Sequence, residues 1–570
     1  MSDIKDTTMH GSHTPEPKGS PVHEQPTLAA ATTLDRVEAP VTIKAYLMCA
    51  FASFGGIFFG YDSGYINGVL SARPFIDAIA GPGQEAISSS HTSLIVSILS
   101  AGTFFGAIIA GDLADMLGRR PTIIAGCFVY IIGVIIQMFA ASGLATIVVG
   151  RLVAGFGVGF VSAIIILYMS EVAPKKVRGA IVSGYQFCIT IGIMLASIIN
   201  NFTSNRADSG SYRIPIGIQF AWGLILALGL FLLPESPRYF VKRGRIEQAR
   251  SMLSKLRGQP LDSELVEQEL AEIVANADYE RRAMPTNSWF GSWAACFSGS
   301  IWSAQSNLRR TILGTSLQMM QQWTGVNFIF YYSTPFLKST GAISDPFIIS
   351  MIFTIVNVCS TPISFYTVEK YGRRPLLVWG AFGMLVCQFL VAIIGVTVGF
   401  NKTTTNAAGE AVATNIAAVN AQVAFIAIFI FFFATTWGPG AWVLIGEIFP
   451  LPVRSRGVGL STASNWLWNT IIAVITPYMV GPDEGNLRSS VFFVWGALCT
   501  AAFVYAYFLV PETKGLTLEQ VDRMFEETTP RKSAAWKPSQ TFAVLAGGAS
   551  HTGQLDSKVL QEVKENGTAL

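Results

Sequence analysis

The chain has 570 residues, of which 51% are hydrophobic and 13% are charged. Its length alone would allow roughly three or four soluble domains, but a chain this apolar cannot hide its hydrophobic surface from water and needs a lipid bilayer as its solvent. Its 39 basic and 36 acidic residues nearly balance, which gives no reason to expect a nucleic-acid partner. The seven cysteines show no metal-ligand spacing, so neither a metal ion nor another cofactor is expected.

Twelve apolar segments follow one another along the chain, each of about 20 residues and therefore long enough to cross a bilayer. They occupy 44–70, 92–113, 122–142, 145–168, 180–200 and 216–233 in the first half, and 310–336, 346–367, 375–398, 421–446, 457–480 and 490–510 in the second. The pattern predicts an all-α integral membrane fold in which twelve transmembrane helices form two pseudo-symmetric six-helix bundles.

More polar segments lie at the ends of the chain and between the two bundles. In the middle segment, one helix is predicted from Ile246 to Leu256, ended by Gly258, and a second begins at Asp262 or Ser263. The predicted domains are a disordered tail (1–42), a six-helix half (43–233), a helical linker (234–309), a second six-helix half (310–515) and a C-terminal tail (516–570).

Basic residues are concentrated in alternate turns between the spans. These turns contain Arg119, Arg120, Lys175, Lys176, Arg178, Lys370, Arg373, Arg374, Arg454 and Arg456. Because positive charge favours the cytoplasmic side, we expect these turns, the linker and both termini to be cytoplasmic in a multi-pass protein of the cell membrane. The possible glycan acceptors Asn201 (in NFT) and Asn401 (in NKT) then fall on the outer side.

Three short motifs occur once in each half. GDLADMLGRRP at 111–121 corresponds to FYTVEKYGRRP at 365–375, EVAPKKVRG at 171–179 to EIFPLPVRSRG at 447–457, and PESPR at 234–238 to PETKG at 511–515. Soluble repeats have periods of about 20–50 residues. The much longer spacing here indicates duplication of a six-span bundle, which is typical of transporters. Gly118 and Gly372 of the GRR motifs are expected to form tight turns.

Acidic and basic residues recur at matching positions of the two halves. Glu171 can pair with Arg178, and Glu447 with Arg454 or Arg456, across the cytoplasmic face. Such pairs would form a gate that opens when they break. Alternatively, the basic residues only set the topology. With the arginines of the GRR turns, the expected gate residues are Arg119, Glu171, Arg178, Arg373, Glu447 and Arg456.

These six motifs resemble, in order and topology, those of the sugar porter family of the major facilitator superfamily. The resemblance runs from about residue 44 to 526 and is greatest to fungal hexose transporters. It implies a carrier that moves a hexose, glucose first, by alternating access of one site between the halves. The sequence shows no HExxH, GxSxG or P-loop motif, so an enzyme is not expected.

The seventh span contains a cluster of amides, QMMQQWTGVNFIFYY at 318–332. A sugar presents many hydroxyl groups and no charge, so Gln and Asn suit it because each both donates and accepts hydrogen bonds. An interruption at Thr324–Gly325 would let Gln321, Gln322 and Asn327 face inward. Amides also join helices to each other inside membranes, which is the alternative explanation.

The family resemblance adds further positions. It implies that Gln186, Asn357, Trp442 and Asn465 contact the sugar and that Tyr331 and Tyr332 form the extracellular gate. Trp442 would stack on the sugar ring, and Gly438, Pro439 and Gly440 would break the tenth helix.

Asp62 is an acid in the middle of the first apolar span, and Arg151 in the fourth span is its expected partner. An ionised carboxylate there is costly unless it is paired or protonated. Protonation of Asp62 would release Arg151, which predicts proton coupling. The resemblance supports this, because the proton symporters of the family carry the same pair. A static ion pair in a facilitative uniporter remains open, as does a sugar sensor that does not transport. The expected partners are a hexose and the lipid bilayer, with no obligatory protein partner.

Overall fold

The computed structural model describes residues 43–83, 87–139, 143–174, 176–203, 206–283, 288–303, 306–339, 346–399, 403–405, 411–480 and 485–537. The predicted N-terminal tail, residues 538–570 and the acceptor Asn401 lie outside the described residues. In the described part the regular structure is helical except for one small antiparallel hairpin, β1 (Thr403–Thr405) with β2 (Ala411–Ala413), which the sequence pattern did not predict.

Helices cover every predicted span of the first half. They are α1 (Ile43–Ser53) and α2 (Gly55–Ser71) for the first span, a short unpredicted helix α3 (Arg73–Ala80), then α4 (Ser89–Met116), α5 (Arg119–Met138), α6 (Leu144–Val172), α7 (Arg178–Thr203) and α8 (Gly210–Leu232).

The described residues of the linker form four helices. They are α9 (Pro237–Lys242), α10 (Ile246–Arg257), α11 (Glu264–Ala283) and α12 (Trp289–Cys296). Gly258 ends α10 in a left-handed conformation (φ 65°), as predicted, because a residue without Cβ adopts it at no steric cost. Apolar residues of α11 are buried against α9, α10 and Leu451 of the second half, and together they form a small separate core.

The second half repeats the arrangement with more interruptions. Its helices are α13 (Asn307–Trp323), α14 (Val326–Ser339), α15 (Pro346–Ser360), α16 (Ile363–Tyr371), α17 (Arg373–Thr397), α18 (Ile416–Thr435), α19 (Trp437–Glu447), α20 (Arg454–Val480) and α21 (Val491–Leu509), followed by α22 (Leu518–Glu527). The seventh span breaks between α13 and α14, where Gly325 has φ 83°. This is the interruption that the sequence predicted.

The tenth span breaks one turn earlier than predicted. The chain leaves the helical conformation at Thr436, between α18 and α19, and not at residues 438–440. Pro439 falls in the first turn of α19, where a missing backbone N–H leaves no helical hydrogen bond unmade. The proline therefore starts a helix here and does not break one.

Eight stretches of the described residues are helical, long and apolar enough to cross a membrane, with α18 and α19 counted as one. The pair α15–α16, bent by 46°, adds a ninth. The other three predicted spans are covered by α1–α2, α13–α14 and α20, which are interrupted or carry the polar residues described below. Together these helices make the predicted twelve-helix fold.

The two halves meet closely where α4 packs against α20. A Cβ on Gly459 would lie 2.7 Å from the backbone oxygen of Ala107, and one on Gly111 would lie 3.0 Å from the backbone oxygen of Ser455. Small residues allow such close approach between membrane helices. One end of this interface carries the GRR turns, α9–α12 and α22. We call this end the basic face.

Candidate functional site

The amides of the seventh span lie in a buried network with α19 and α20. Gln321 donates through Nε2 to the backbone oxygens of Trp437 (3.0 Å) and Gly438 (2.9 Å). Asn465 donates through Nδ2 to Oε1 of Gln318 (2.7 Å) and of Gln321 (2.8 Å). Both accepting carbonyls belong to the first turn of α19, directly after the break at Thr436.

The network continues toward the first half. Gln322 accepts hydrogen bonds from Asn327 and, at 3.5 Å, from Nδ2 of Asn469. Asn469 accepts in turn from the hydroxyl of Ser100 on α4 at 3.1 Å. Sequence reasoning missed Asn469 and Ser100, although Asn469 follows Asn465 by one helical turn, a spacing that places both on one face of α20. The network thus spans both halves of the protein.

The positions implied by the family resemblance lie around this network to different degrees. Gln186 on α7 lies beside Gly438, since a Cβ on that glycine would be 3.4 Å from the Gln186 amide carbon. Trp442 follows Gly438 by one turn of α19 and packs edge-to-face on Tyr185, with ring centroids 5.7 Å apart. Asn357 is buried on α15, and its Oδ1 has no hydrogen-bond partner among the described residues.

The two tyrosines predicted as an outer gate lie next to the amide network, on its side away from the basic face. The Tyr331 hydroxyl accepts from Asn469 at 3.3 Å, and the Tyr332 hydroxyl donates to the backbone oxygen of Ala473 at 2.8 Å. A narrow cavity between the halves is lined by Ser63, Ser100, Arg151, Tyr331, Trp466 and Asn469 among others. Asn469 of the amide network and Arg151 therefore line the same narrow cavity.

Asp62 and Arg151 are both fully buried, but the structure does not bring them into ion-pair contact. Arg151 donates to the backbone oxygen of Ile95 and to the hydroxyl of Tyr65, each at 2.7 Å. Asp62 receives one long hydrogen bond, 3.4 Å, from the Tyr130 hydroxyl. Its other oxygen has no partner in the described part of the chain. Tyr65, one turn after Asp62, takes the place at Arg151 that the sequence had predicted for the acid.

At the basic face, each GRR turn is capped by the glutamate of the later motif. Oxygens of Glu235 accept from the backbone N–H groups of Arg119 (3.2 Å) and Arg120 (3.0 Å). Burial raises the pKa of Glu235, against the lowering effect of the backbone N–H groups of Ser236 and Arg120 and of the Arg119 charge. Gly118 has φ 108° and lets the chain enter α5 this closely to Glu235. Glu512 caps α17 in the same way, and Gly372 has φ 94°.

The predicted acid–base pairs of this face have different partners from those expected. Glu171 forms a bidentate pair with Arg119, with both bonds at 2.9 Å. Glu447 likewise pairs with Arg373, at 2.9 and 3.2 Å. Arg178 instead donates to the backbone oxygen of Leu516 at 3.3 Å. Each acid is paired within its own half, because the arginine at the start of the neighbouring helix is closer than the arginine further along its own motif.

Among the residues that the structure describes, the salt bridges between the two halves are made by Arg456. Its guanidinium binds Asp112 at 2.8 Å and Asp115 at 3.0 Å, and the Ser455 hydroxyl donates to Asp115 at 2.7 Å. Lys242 of the linker also binds Asp115, at 2.9 Å. Sequence reasoning included Arg456 but missed both aspartates, although they lie in the repeated motif at 111–121. These contacts close the basic face in this conformation.

Comparisons with known proteins agree with this arrangement. The chain is 45% identical over 502 residues to the major facilitator-type transporter ecdD of Aspergillus rugulosus, covering 87% of this chain and 90% of that protein. It is 40% identical to the probable glucose transporter rco-3 of Neurospora crassa, covering 90% and 86% of the two chains. It is also 38% identical to the high glucose sensor RGT2 of Saccharomyces cerevisiae, with 88% of this chain but only 63% of the sensor matched.

A solved structure with a similar fold is the proton:xylose symporter XylE of E. coli bound to 6-bromo-6-deoxy-D-glucose. The superposition has a TM-score of 0.71 at 25% sequence identity and covers 85% of this chain and 99% of that one. A family model described as sugar (and other) transporter matches residues 48–525. This match spans most of the chain, and the protein therefore belongs to the family of sugar (and other) transporters.

Proposed function

We propose that this protein carries a hexose, with glucose as the first candidate, across the cell membrane and couples the movement to a proton. The observation that carries the proposal is the buried amide network of the second half, which reaches the first half through Ser100 and consists of Gln318, Gln321, Gln322, Asn465 and Asn469. These groups are uncharged and both donate and accept, which matches the hydroxyls of a neutral sugar. Their present bonds to each other would be exchanged for bonds to the substrate.

The names of the relatives support the choice of substrate. One relative is named a glucose transporter, and the similar solved structure is a xylose symporter bound to a glucose derivative. Trp442 offers an aromatic face beside the amides for the C–H surface of a sugar ring. In this proposal Gln186, Asn327 and Asn357 add further polar contacts.

Alternating access follows from the position of the site between two closed ends. At the basic face, Arg456 joins α20 to the aspartates of α4. At the other end, Tyr331 and Tyr332 lie over the network. We propose that one end opens at a time, and that opening the basic face requires Arg456 to leave both aspartates. The pairs Arg119–Glu171 and Arg373–Glu447 hold the helix ends of each half rigid during that motion.

Proton coupling is proposed through Asp62. In this conformation the carboxyl has one long hydrogen bond and no arginine in contact, an environment that is costly for a charge. Arg151 donates to oxygen acceptors nearby, and it lines the narrow cavity between the halves. We propose that Asp62 takes up a proton before this state forms. When it releases the proton, it draws Arg151 away from Tyr65.

The basic face is proposed to be cytoplasmic, because basic turns concentrate on that side of membrane proteins. This orientation places both termini in the cytoplasm and the exposed Asn201, at the end of α7, outside the cell. Asn201 would then be open to glycosylation, and loss of a glycan-dependent mass shift in Asn201→Gln would identify it as an acceptor.

Uptake of radiolabelled glucose by the purified protein in liposomes tests the proposal. Entry of glucose that is saturable and inhibited by excess unlabelled glucose is the expected result. The matched control is liposomes with the Gln321→Ala/Asn465→Ala variant, in which uptake should fall to the background. Glucose binding without uptake by a folded protein would instead establish a sensor, and neither binding nor uptake would refute the hexose assignment.

A further inference from the structure

The linker helix α12 makes contacts that the transport scheme above does not use. Its sequence, WFGSWAAC, places Trp289 and Trp293 four residues apart and therefore on one face of the helix. The side chain of Ser288 caps its first turn by accepting from the backbone N–H of Gly291 at 2.9 Å. This short helix lies at the basic face, beside the ion pairs of Arg456.

Both indoles donate to the same oxygen of one aspartate. Nε1 of Trp289 lies 3.1 Å, and Nε1 of Trp293 3.0 Å, from Oδ2 of Asp112. The other oxygen, Oδ1, accepts from Arg456 at 2.8 Å. The Arg456 guanidinium carbon also lies 5.8 Å from the ring centroid of Trp293, within the range of a cation–π contact. The carboxylate of Asp112 is thus held by three donors.

The helix is fixed to the second half of the protein. The hydroxyl of Thr311 on α13 donates to the backbone oxygen of Cys296 at 2.8 Å, and Asn307 donates to that of Ala295 at 3.0 Å. These bonds satisfy carbonyls at the end of α12 with side chains from the start of α13. Because Asp112 belongs to α4 of the first half, the two indole hydrogen bonds cross between the halves.

We propose that α12 is a further closing element of the basic face, in which Trp289 and Trp293 bind Asp112 and hold it in position for Arg456. We call the two bonds the indole latch. When the halves separate at this face, α12 moves with α13, so both indoles leave Asp112 together with Arg456. The latch therefore favours the state in which the basic face is closed, and it sets how often that face opens. This inference rests on the alternating access proposed above.

The size of the effect follows from the chemistry of the bonds. A hydrogen bond to a charged acceptor is worth about a tenfold change in an equilibrium, or more when it is buried. Asp112 is 16% exposed and keeps Arg456 after an indole is lost, so we expect about three- to tenfold for each tryptophan. Replacement by Phe removes the N–H donor and keeps an aromatic ring, which limits damage to packing.

The test measures the opening of the basic face without any sugar. Spin labels on Met116 of α4 and Tyr371 of α16, which are 61% and 57% exposed, report the distance between the halves. Attachment through a non-natural amino acid leaves the native cysteines in place. In Trp289→Phe/Trp293→Phe the ratio of the long to the short distance should rise by about ten- to a hundredfold. The control is Trp302→Phe, because Trp302 is 88% exposed and its indole makes no hydrogen bond among the described residues.

A second variant separates the latch from general damage. In an Asp112→Ala protein the indoles have lost their acceptor, so adding Trp293→Phe should leave the distance ratio unchanged. A double tryptophan variant with the parent's distances would overturn the latch, and so would an equal effect of Trp293→Phe with and without Asp112. Because no sugar is present, either result concerns the latch alone, whereas the liposome uptake of glucose tests the proposed function.

Discussion

Removing the guanidinium of Arg456 should open the basic face. This side chain carries the ionic contacts between the halves, to Asp112 at 2.8 Å and to Asp115 at 3.0 Å. Charge-assisted hydrogen bonds contribute about 1.5–3 kcal/mol each. Both aspartates keep other donors after the change, namely the indoles at Asp112, and Ser455 and Lys242 at Asp115. We therefore expect Arg456→Gln to shift the balance by about 2 kcal/mol, which is about thirtyfold toward the open state.

The distance between labels on Met116 and Tyr371 measures this shift directly. Arg250→Gln is the matched control, because it also replaces an arginine by glutamine and removes one positive charge, but in the linker helix α10. Its partner, Glu267 at 2.8 Å, lies within the linker as well. The ratio of the long to the short distance should rise about thirtyfold in Arg456→Gln and stay at the parent's level in Arg250→Gln. Glucose uptake should fall, because a carrier trapped with one end open completes few cycles.

Unchanged distances in Arg456→Gln would refute the account of the basic face. They would mean that the contacts to Asp112 and Asp115 make no net contribution, as happens when the cost of desolvating the charges cancels their attraction. An equal shift in Arg250→Gln would be as damaging, because it would attribute the opening to the total charge of this face and not to the contacts between the halves.

Three further predictions concern the coupling, the site and the contact between α22 and the linker. Asp62→Asn should abolish uphill accumulation of glucose and retain exchange, and full uphill uptake in this variant would remove Asp62 from the coupling. Gln322→Ala and Trp442→Ala should each raise the half-saturation concentration about five- to tenfold through lost hydrogen bonds and stacking, while the buried amide variant Gln388→Ala should not; equal values in all three would place the sugar elsewhere. Burial raises the pKa of Glu519 in α22, but the charge of the neighbouring Arg238 outweighs it and holds this pKa at about 2. Since the folded pKa lies below the ordinary 4.5, the carboxylate stabilises the protein fully above about pH 4.5 and loses this effect as the pH falls toward 2. Thermal unfolding should show a lower midpoint for Glu519→Gln near neutral pH and a shrinking difference in acid, and a constant difference would contradict the pairing.

The sequence predicted the spans and the tight turns because these depend on local properties. Runs of about 20 apolar residues can hardly form anything but membrane helices. Gly118 and Gly372 stand where the chain must take a positive φ. The break at Gly325 was predictable for the same reason. The break at Thr436 was not predictable. A proline such as Pro439 can either start a helix or interrupt one, and the neighbouring residues do not show which of the two it does.

The partners of the charged groups could not be predicted from spacing. Glu171, in the last turn of α6, has Arg178 near it in the sequence. It nevertheless pairs with Arg119, which lies 52 residues earlier at the start of α5. Asp112 binds indoles that lie 177 and 181 residues further along the chain. The sequence showed an acid, Asp62, and a base, Arg151, inside the membrane spans and so suggested a pair. In the structure Arg151 donates instead to the hydroxyl of Tyr65. Such contacts depend on how the helices pack against each other, and the hydrophobic pattern of the sequence does not predict that packing.

Uphill accumulation tests the central claim most directly. The purified protein in liposomes would be given labelled glucose at equal concentration on both sides, with and without an inward proton gradient. Our account predicts accumulation above equilibrium only when the gradient is present, and none once a protonophore collapses it. Equal concentrations inside and outside under every condition, in a protein that transports glucose, would contradict proton coupling and reduce Asp62 and Arg151 to structural groups.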